Sequence, residues 1–287
     1  MHKDISKSIN NLPTVSATIK QYNLFANKKL SQNFILDLNL TNKIVNLSNT
    51  IENNTIIEIG AGPGSLTRSI LLNGAKKIII IEKDKRFIDP LNILNIASEN
   101  RIIIENHDAI KVDLNDILEK YNVIQAEIIA NLPYSIATKL LLNWLPFHNK
   151  INKMTLMFQK EVAERIVAKP GSKKYGRLSI LLGLTTNAKI VMNISSSAFI
   201  PKPKIESAIV QIIPKKIKKG FNKVILEKIT QTLFNQRRKQ IKSTLSKFGD
   251  PIKICQLLNI EPTKRPEELT LDQYEKLTNL ITNYQDL

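Results

Sequence analysis

The chain predicts an open α/β domain on a parallel-type sheet, followed by a small all-helical domain. Three observations carry that expectation. Isoleucine-rich apolar runs alternate with stretches of helical spacing between Thr55 and Gln159, as strands buried on both faces and joined by crossover helices do. A glycine-rich turn, Gly60-Ala61-Gly62-Pro63-Gly64, follows the first of those runs directly. Beyond Pro214 the strand-like runs stop, and four segments of helical spacing follow, interrupted by Pro262 and Pro266. The 287 residues suffice for one full α/β domain and a smaller second one. The expected division is a flexible N-terminal arm over 1–27, a catalytic domain over 28–215 and a helical domain over 216–287.

Composition narrows the class. Hydrophobic content is 43%, and no uninterrupted apolar run reaches membrane-spanning length, so a soluble globular protein is expected. Residues 1–20 lack the long apolar block of a secretory signal. The single cysteine, Cys255, rules out an intrachain disulfide and fits a reducing, cytoplasmic location. His2, His107 and His148 are scattered without cysteine neighbours, so no zinc site and no other metal is expected. The formal net charge is +17, which favours a polyanionic partner. Residues 215–265 hold 14 Lys or Arg against three acidic residues (Glu227, Asp250, Glu261), a net of +11. The excess thus lies largely behind the α/β half; a merely solubilising surface is the plainer alternative.

In chain order, Lys28-Lys-Leu-Ser31-Gln32-Asn33-Phe34-Ile35-Leu-Asp37 is the first informative stretch. It reads as a flap over a ligand touched by Asn33 and Ile35, or as an ordinary helix entry capped by Asp37 or Asn39. Thr55 to Ile70 reads as strand, glycine turn and helix start, with Ser65 or Thr67 serving the first helical turn. Ser65 stands where a dinucleotide fingerprint wants Gly or Ala, and Pro63 stiffens the turn. A nucleoside without a pyrophosphate is the better ligand.

The second strand, Lys77 to Ile81, ends in Glu82, 22 positions beyond Gly60, where a carboxylate is placed to bond a ribose diol. The third, Arg101 to Glu105, leads to Asp108, which could accept from an adenine amino group or simply cap a helix. The fourth, Val123 to Ile129, delivers Asn131-Leu132-Pro133-Tyr134 to the carboxyl edge of the sheet, where ligands of open α/β sheets bind. Pro133 fixes its own φ and restricts Leu132, so this corner is rigid enough to aim a side chain. An exocyclic amine on a nucleobase is a poor nucleophile because its lone pair is delocalised. Two oxygen acceptors, the Asn131 side chain and a Leu132-Pro133 carbonyl, would turn that lone pair towards an electrophile while Tyr134 stacks on the base. The plainer reading is loop punctuation after a strand.

A helix over Ile136 to Leu145, a strand over Lys153 to Gln159 and a helix over Lys160 to Val167 follow. The basic loop Lys169-Pro-Gly-Ser-Lys-Lys-Tyr175-Gly176-Arg177 suits a phosphate backbone, or is plain surface. Ala188 to Asn193 and Glu206 to Ile213 are two more strands, linked by Phe199-Ile-Pro201-Lys-Pro203-Lys204. Phe199 is a core residue by default; the prolines around it make it a candidate second stacking face opposite Tyr134. The helical tail carries Arg237-Arg238-Lys239 and Lys242.

Gln32-Asn33-Phe34, Glu58-Ile-Gly60-Ala-Gly62-Pro-Gly64, Glu82, Asp108, Asn131-Leu-Pro-Tyr134, Tyr175-Gly176-Arg177 and Phe199-Ile-Pro201-Lys-Pro203-Lys204, in that order, resemble the bacterial 16S ribosomal RNA adenine N6,N6-dimethyltransferases, whose loss gives kasugamycin resistance. The resemblance runs from about Lys28 into the C-terminal helices. It implies a Rossmann-like, seven-stranded methyltransferase fold, S-adenosylmethionine as methyl donor, and a helical domain that helps hold RNA. Donor contacts carry over to Asn33, Ile35, Gly60, Glu82, Asp108 and Asn131. Target-base contacts fall on Asn131, Leu132, Pro133, Tyr134 and Phe199. The implied substrate is a pair of adjacent adenines in the loop of the 3′-terminal hairpin of 16S rRNA, within the immature 30S subunit, and a monomeric enzyme is expected. One departure stands out: Ser31 replaces the family's usual Gly before Gln-Asn-Phe, at little cost if its φ is negative. The 23S rRNA adenine methyltransferases of macrolide resistance share the pocket and are the nearest rival. An assembly factor with secondary methylation and a small-molecule N-methyltransferase are the others.

Overall fold

A computed structural model describes residues 5–27, 30–217 and 220–285. The basic step Lys28-Lys29 lies outside them. Five strands form the parallel part of the main sheet: β2 (Thr55–Ile59), β3 (Ile78–Ile81), β4 (Ile102–Glu105), β5 (Ala126–Ala130) and β6 (Ile151–Gln159). β9 (Ser207–Pro214) pairs antiparallel to β6, and β7 (Thr186–Ile194) completes a seven-stranded sheet of order β4-β3-β2-β5-β6-β9-β7. β1 (Phe34–Ile35) pairs antiparallel with β8 (Phe199–Ile200) in a separate two-stranded sheet.

The order follows from the sequence. Runs such as Ile78-Ile79-Ile80-Ile81 are fully buried, so they fit only the centre of a sheet covered on both faces. The order reverses on either side of β2: the chain runs out through β3 to β4 and returns to β5. At such a switch point the loops after neighbouring strands diverge and leave a crevice. The carboxyl ends of β4, β3, β2 and β5 are therefore consecutive along one edge.

Residues 5–27 are not a free arm. They form the helices Ser6–Asn10 and Val15–Gln21, and Ile5, Ile9 and Leu24 are buried in the core cluster of the sheet. Thr14 caps the second helix by accepting from the Ala17 amide, as a threonine N-cap does. The apolar residues are few, and Ile5, Ile9, Val15 and Leu24 are buried while Phe25 stays exposed.

The chain divides into two compact units, residues 1–163 with 189–213 and residues 164–188 with 214–287. The second takes in the helix Arg177–Thr185, within the stretch 28–215 that sequence assigned to the catalytic domain. That helix packs against Lys223–Phe234 and Leu271–Gln285. The lack of a side chain at Gly183 permits the approach, because a Cβ there would meet a Leu271 methyl at 2.8 Å. Within this unit the basic loop is held down: Arg237 Nη2 donates to the Lys173 carbonyl (2.7 Å), Arg237 Nε pairs with Glu267, and the Gly171 amide donates to the Glu267 carbonyl (2.7 Å).

Candidate active site

The glycine turn after β2 is built from backbone that only glycine adopts cheaply. Gly62 and Gly64 have φ of +54° and +84°, the left-handed region that penalises a Cβ. Gly62 also lies under the Phe34 ring, with 3.5 Å between the ring and the position of a Cβ. Phe34 in turn meets Phe87 edge-on, centroids 5.8 Å apart. The flap strand β1 is thus seated on the glycine turn by aromatic packing.

Below this seat lies a cavity of about 240 Å³. Asn33, Ile35, Gly60, Glu82, Asp108, Asn131, Leu132, Pro133 and Tyr134, all expected from sequence, line it together. Phe199 does not. It is 2% exposed, sits in the core cluster and pairs through its backbone with Ile35. The plainer expectation for Phe199 describes its position: an aromatic ring beside a short buried strand pairing goes to the core rather than to the pocket wall.

Each polar residue of the lining has a defined state. Glu82 accepts from the Gly62 amide (Oε2, 2.9 Å) and from the Asp84 amide (Oε1, 2.8 Å). These bonds lock its rotamer, and each oxygen keeps a further acceptor site. Burial raises its pKa, opposed by the same backbone donors. Asp108 accepts from Lys83 Nζ (2.8 Å) and, as a cap, from the Ile110 amide (3.1 Å). The Lys83 ammonium holds the Asp108 carboxyl below the usual range. Asp108 thus lines the cavity and is the helix cap that the plainer sequence reading expected.

Asn131 Nδ2 donates to the main-chain carbonyl of Asn33 (3.1 Å). No donor among the described residues reaches its Oδ1. A carbonyl only accepts, so this contact itself assigns which end of the amide is oxygen. Tyr134 opens the helix Tyr134–Asn143, and its hydroxyl lies 2.5 Å from Ser207 Oγ on β9. That contact anchors the far end of the ring. Ser207 lies 73 positions away and has no local sequence signal.

Two further lining groups were not singled out from sequence as site residues. Glu58, on β2, is buried; desolvation raises its pKa from 4.5 to about 8, against the hydrogen bond from Thr67 Oγ1 (2.7 Å) and with a contribution from Glu82. Ser65 heads the eight-residue helix Ser65–Leu72, is 6% exposed, and its buried Oγ has no hydrogen-bond partner. An orphaned hydroxyl beside the free amides of a helix N-terminus is suited to an anionic group.

A switch-point cavity with two carboxylates, a glycine turn and a pinned carboxamide defines, with the fold, a Rossmann-like methyltransferase that uses S-adenosylmethionine. The sequence profile of the ribosomal RNA adenine dimethylases matches residues 23–286, so the chain belongs to that family. Its relatives include the ribosomal RNA small subunit methyltransferases A of Xanthobacter autotrophicus, 41% identical over 95% of each chain, and of Bartonella tribocorum, 44% identical over 96% of this chain and 99% of the other. The crystal structure of a Plasmodium falciparum dimethyladenosine transferase has a TM-score of 0.75 at 25% identity, covering 88% of this chain and 98% of that one. The 23S rRNA methyltransferase ErmE scores 0.64 at 18% identity, over 87% of this chain and 100% of its own, a likeness of fold alone.

The lining fits that donor. Glu82 has acceptor sites for a diol, Asp108 is ionised, and the Ser65 hydroxyl is a free donor for a carboxylate. Among the described residues no three His, Cys, Asp or Glu side chains converge as metal ligands, and no helix is long and apolar enough to cross a membrane.

Proposed function

We propose that the protein dimethylates N6 of two adjacent adenines in the loop of the 3′-terminal hairpin of 16S rRNA, during assembly of the small ribosomal subunit. One observation carries the chemistry: the Asn131 carboxamide, with one N–H bonded to the Asn33 carbonyl and no donor among the described residues on its oxygen, lies in one cavity with Gly60, Glu82 and Asp108. The small-subunit names of full-length relatives at 41% and 44% identity favour 16S over 23S rRNA.

S-adenosylmethionine supplies, when bound, a methyl group made electrophilic by its sulfonium. Ser65, Glu82 and Asp108 hold the donor, with Asn33, Ile35 and Gly60 shaping its cavity. Asn131 Oδ1 and a carbonyl of Leu132-Pro133 accept the two N–H bonds of the adenine amine and orient its lone pair, as acceptors aimed at a reacting group do. Tyr134, braced on Ser207, stacks on the base. The amine's proton is lost after transfer, so no strong base is required. In the second unit, exposed Arg238 and Lys239 serve the RNA backbone, whereas Arg237 is engaged by Glu267 and the Lys173 carbonyl.

Asn131→Ala tests the chemical half. Methyl transfer to undermethylated 30S subunits is expected to fall at least a thousandfold while 30S binding stays within a few-fold. Turnover near the wild-type rate would remove Asn131 from the mechanism.

A further inference from the structure

A hydrogen bond joins the flap to the carboxamide. The Asn33 carbonyl accepts from Asn131 Nδ2 at 3.1 Å, between residues 98 positions apart. The flap is anchored elsewhere through Gln32, whose Nε2 donates to Asp84 Oδ2 (2.9 Å) and whose Oε1 accepts from the Asn27 amide (2.8 Å). Asp84 is in turn gripped by Arg86, which also bonds the Phe25 carbonyl (3.1 Å). Immediately before the anchor the chain passes through Ser31 at φ +51°, and Asn33 Nδ2 bonds back to the Ser31 carbonyl (3.2 Å). Ser31 therefore keeps a costly φ beside two residues fixed by their own hydrogen bonds, and such outliers persist only where their surroundings over-determine them.

An Asn side chain can rotate to exchange its oxygen and nitrogen. With one Nδ2 hydrogen bonded to the Asn33 carbonyl, the amide cannot exchange its ends without breaking that bond, so Oδ1 keeps its place as the acceptor; with Nδ2 released, the two ends can exchange. We infer that the Asn33 main-chain carbonyl is a positioning group for methyl transfer. Closure of the flap, secured by Gln32, sets the Asn131 oxygen as acceptor, so donor enclosure and amine orientation occur together. An aspartate at 131 would keep an acceptor oxygen but lose the pin, and its oxygens would be repelled by the Asn33 carbonyl. This inference rests on the role proposed for Asn131.

The test combines Asn131→Asp, Gln32→Leu and the double variant. Single-turnover methylation is measured at saturating donor, and S-adenosylhomocysteine affinity is measured by calorimetry. Asn131→Asp is expected to lower the transfer rate about a hundredfold with affinity within a few-fold. Gln32→Leu is expected to lower the rate about tenfold, and the double variant to be no slower than Asn131→Asp alone, because loosening the flap costs nothing once the pin is gone. Wild-type rates in Asn131→Asp, or independent multiplication of the two losses, would overturn the inference. A readout free of activity is the Asn131 side-chain NH2 signal in 1H–15N NMR, identified by its loss in Asn131→Asp. One proton should be shifted and protected from exchange in the wild type and revert in Gln32→Leu. An Asn131 amide that exchanges like an exposed asparagine would overturn the pin, even if the methylated nucleotide were not the one proposed. Labelling of another RNA would instead overturn the substrate and leave the pin standing.

Discussion

Ser31 is the residue at which sequence reasoning and structure part most instructively. The family resemblance leads one to expect a glycine where the sequence has Ser31, but the cost of the serine depends on a backbone angle that no neighbouring residue dictates. The angle is +51°, on the costly side for a residue with a Cβ. Ser31→Gly is therefore expected to stabilise the protein by about 0.5 kcal/mol, the strain relieved exceeding the extra entropy of an unfolded glycine. A small rise in Tm would show it; a fall would mean that the strain is compensated locally. Glu58 is the second case. Its folded pKa is raised from 4.5 to about 8 by burial, so the folded state binds more protons than the unfolded one between those values. Stability should fall as pH rises from about 4.5 to 8 and level off above. Glu58→Gln is expected to flatten that part of the urea-stability profile and to exceed the wild type at pH 8.5 by a few kcal/mol. A wild-type profile without the decline would mean that Glu58 ionises in the folded state near its ordinary pKa.

At the scale of elements, the seven strands were legible because isoleucine runs bounded by glycine, proline and asparagine suit buried strands and little else. The carboxyl-edge residues were legible for the same reason: Glu82 and Asn131 follow such runs directly, and Asp108 lies three positions after Glu105. The helices Ser6–Asn10 and Val15–Gln21 were not, since Ile5, Ile9, Val15 and Leu24 are sparse among lysines and asparagines and show no long amphipathic face. Only the surface they cover makes them bury. Phe199 was left open for a related reason, because proline stiffening is compatible with both pocket wall and core, and pairing with Ile35 favours the core. Ile9 is 1% exposed, so Ile9→Ala is expected to cost about 3 kcal/mol in urea unfolding, as deletion of buried aliphatic groups does. An arm free of the core would leave unfolding unchanged.

For the whole molecule, charge and fold divide the work. The net +17 is concentrated in residues 215–265, largely in the second compact unit, while the cavity proposed for donor and base is lined by residues of the first. This arrangement suits a large polyanion that must be held while one small group is modified, and affinity for such a partner should fall steeply with salt. The partition was readable as a composition shift after Pro214. That residues 164–188 belong with the helical unit was not, because it depends on the packing of Leu271 over Gly183. The central claim is that this cavity transfers methyl groups to adjacent adenines of the small-subunit RNA. Undermethylated 30S subunits incubated with the enzyme and labelled S-adenosylmethionine test it most directly, with the modified nucleotides then mapped. Label as N6,N6-dimethyladenine at two neighbouring positions in the 3′-terminal hairpin loop is the expected result, and label confined to other nucleotides of the 16S rRNA, or absent from adenine N6, would contradict it.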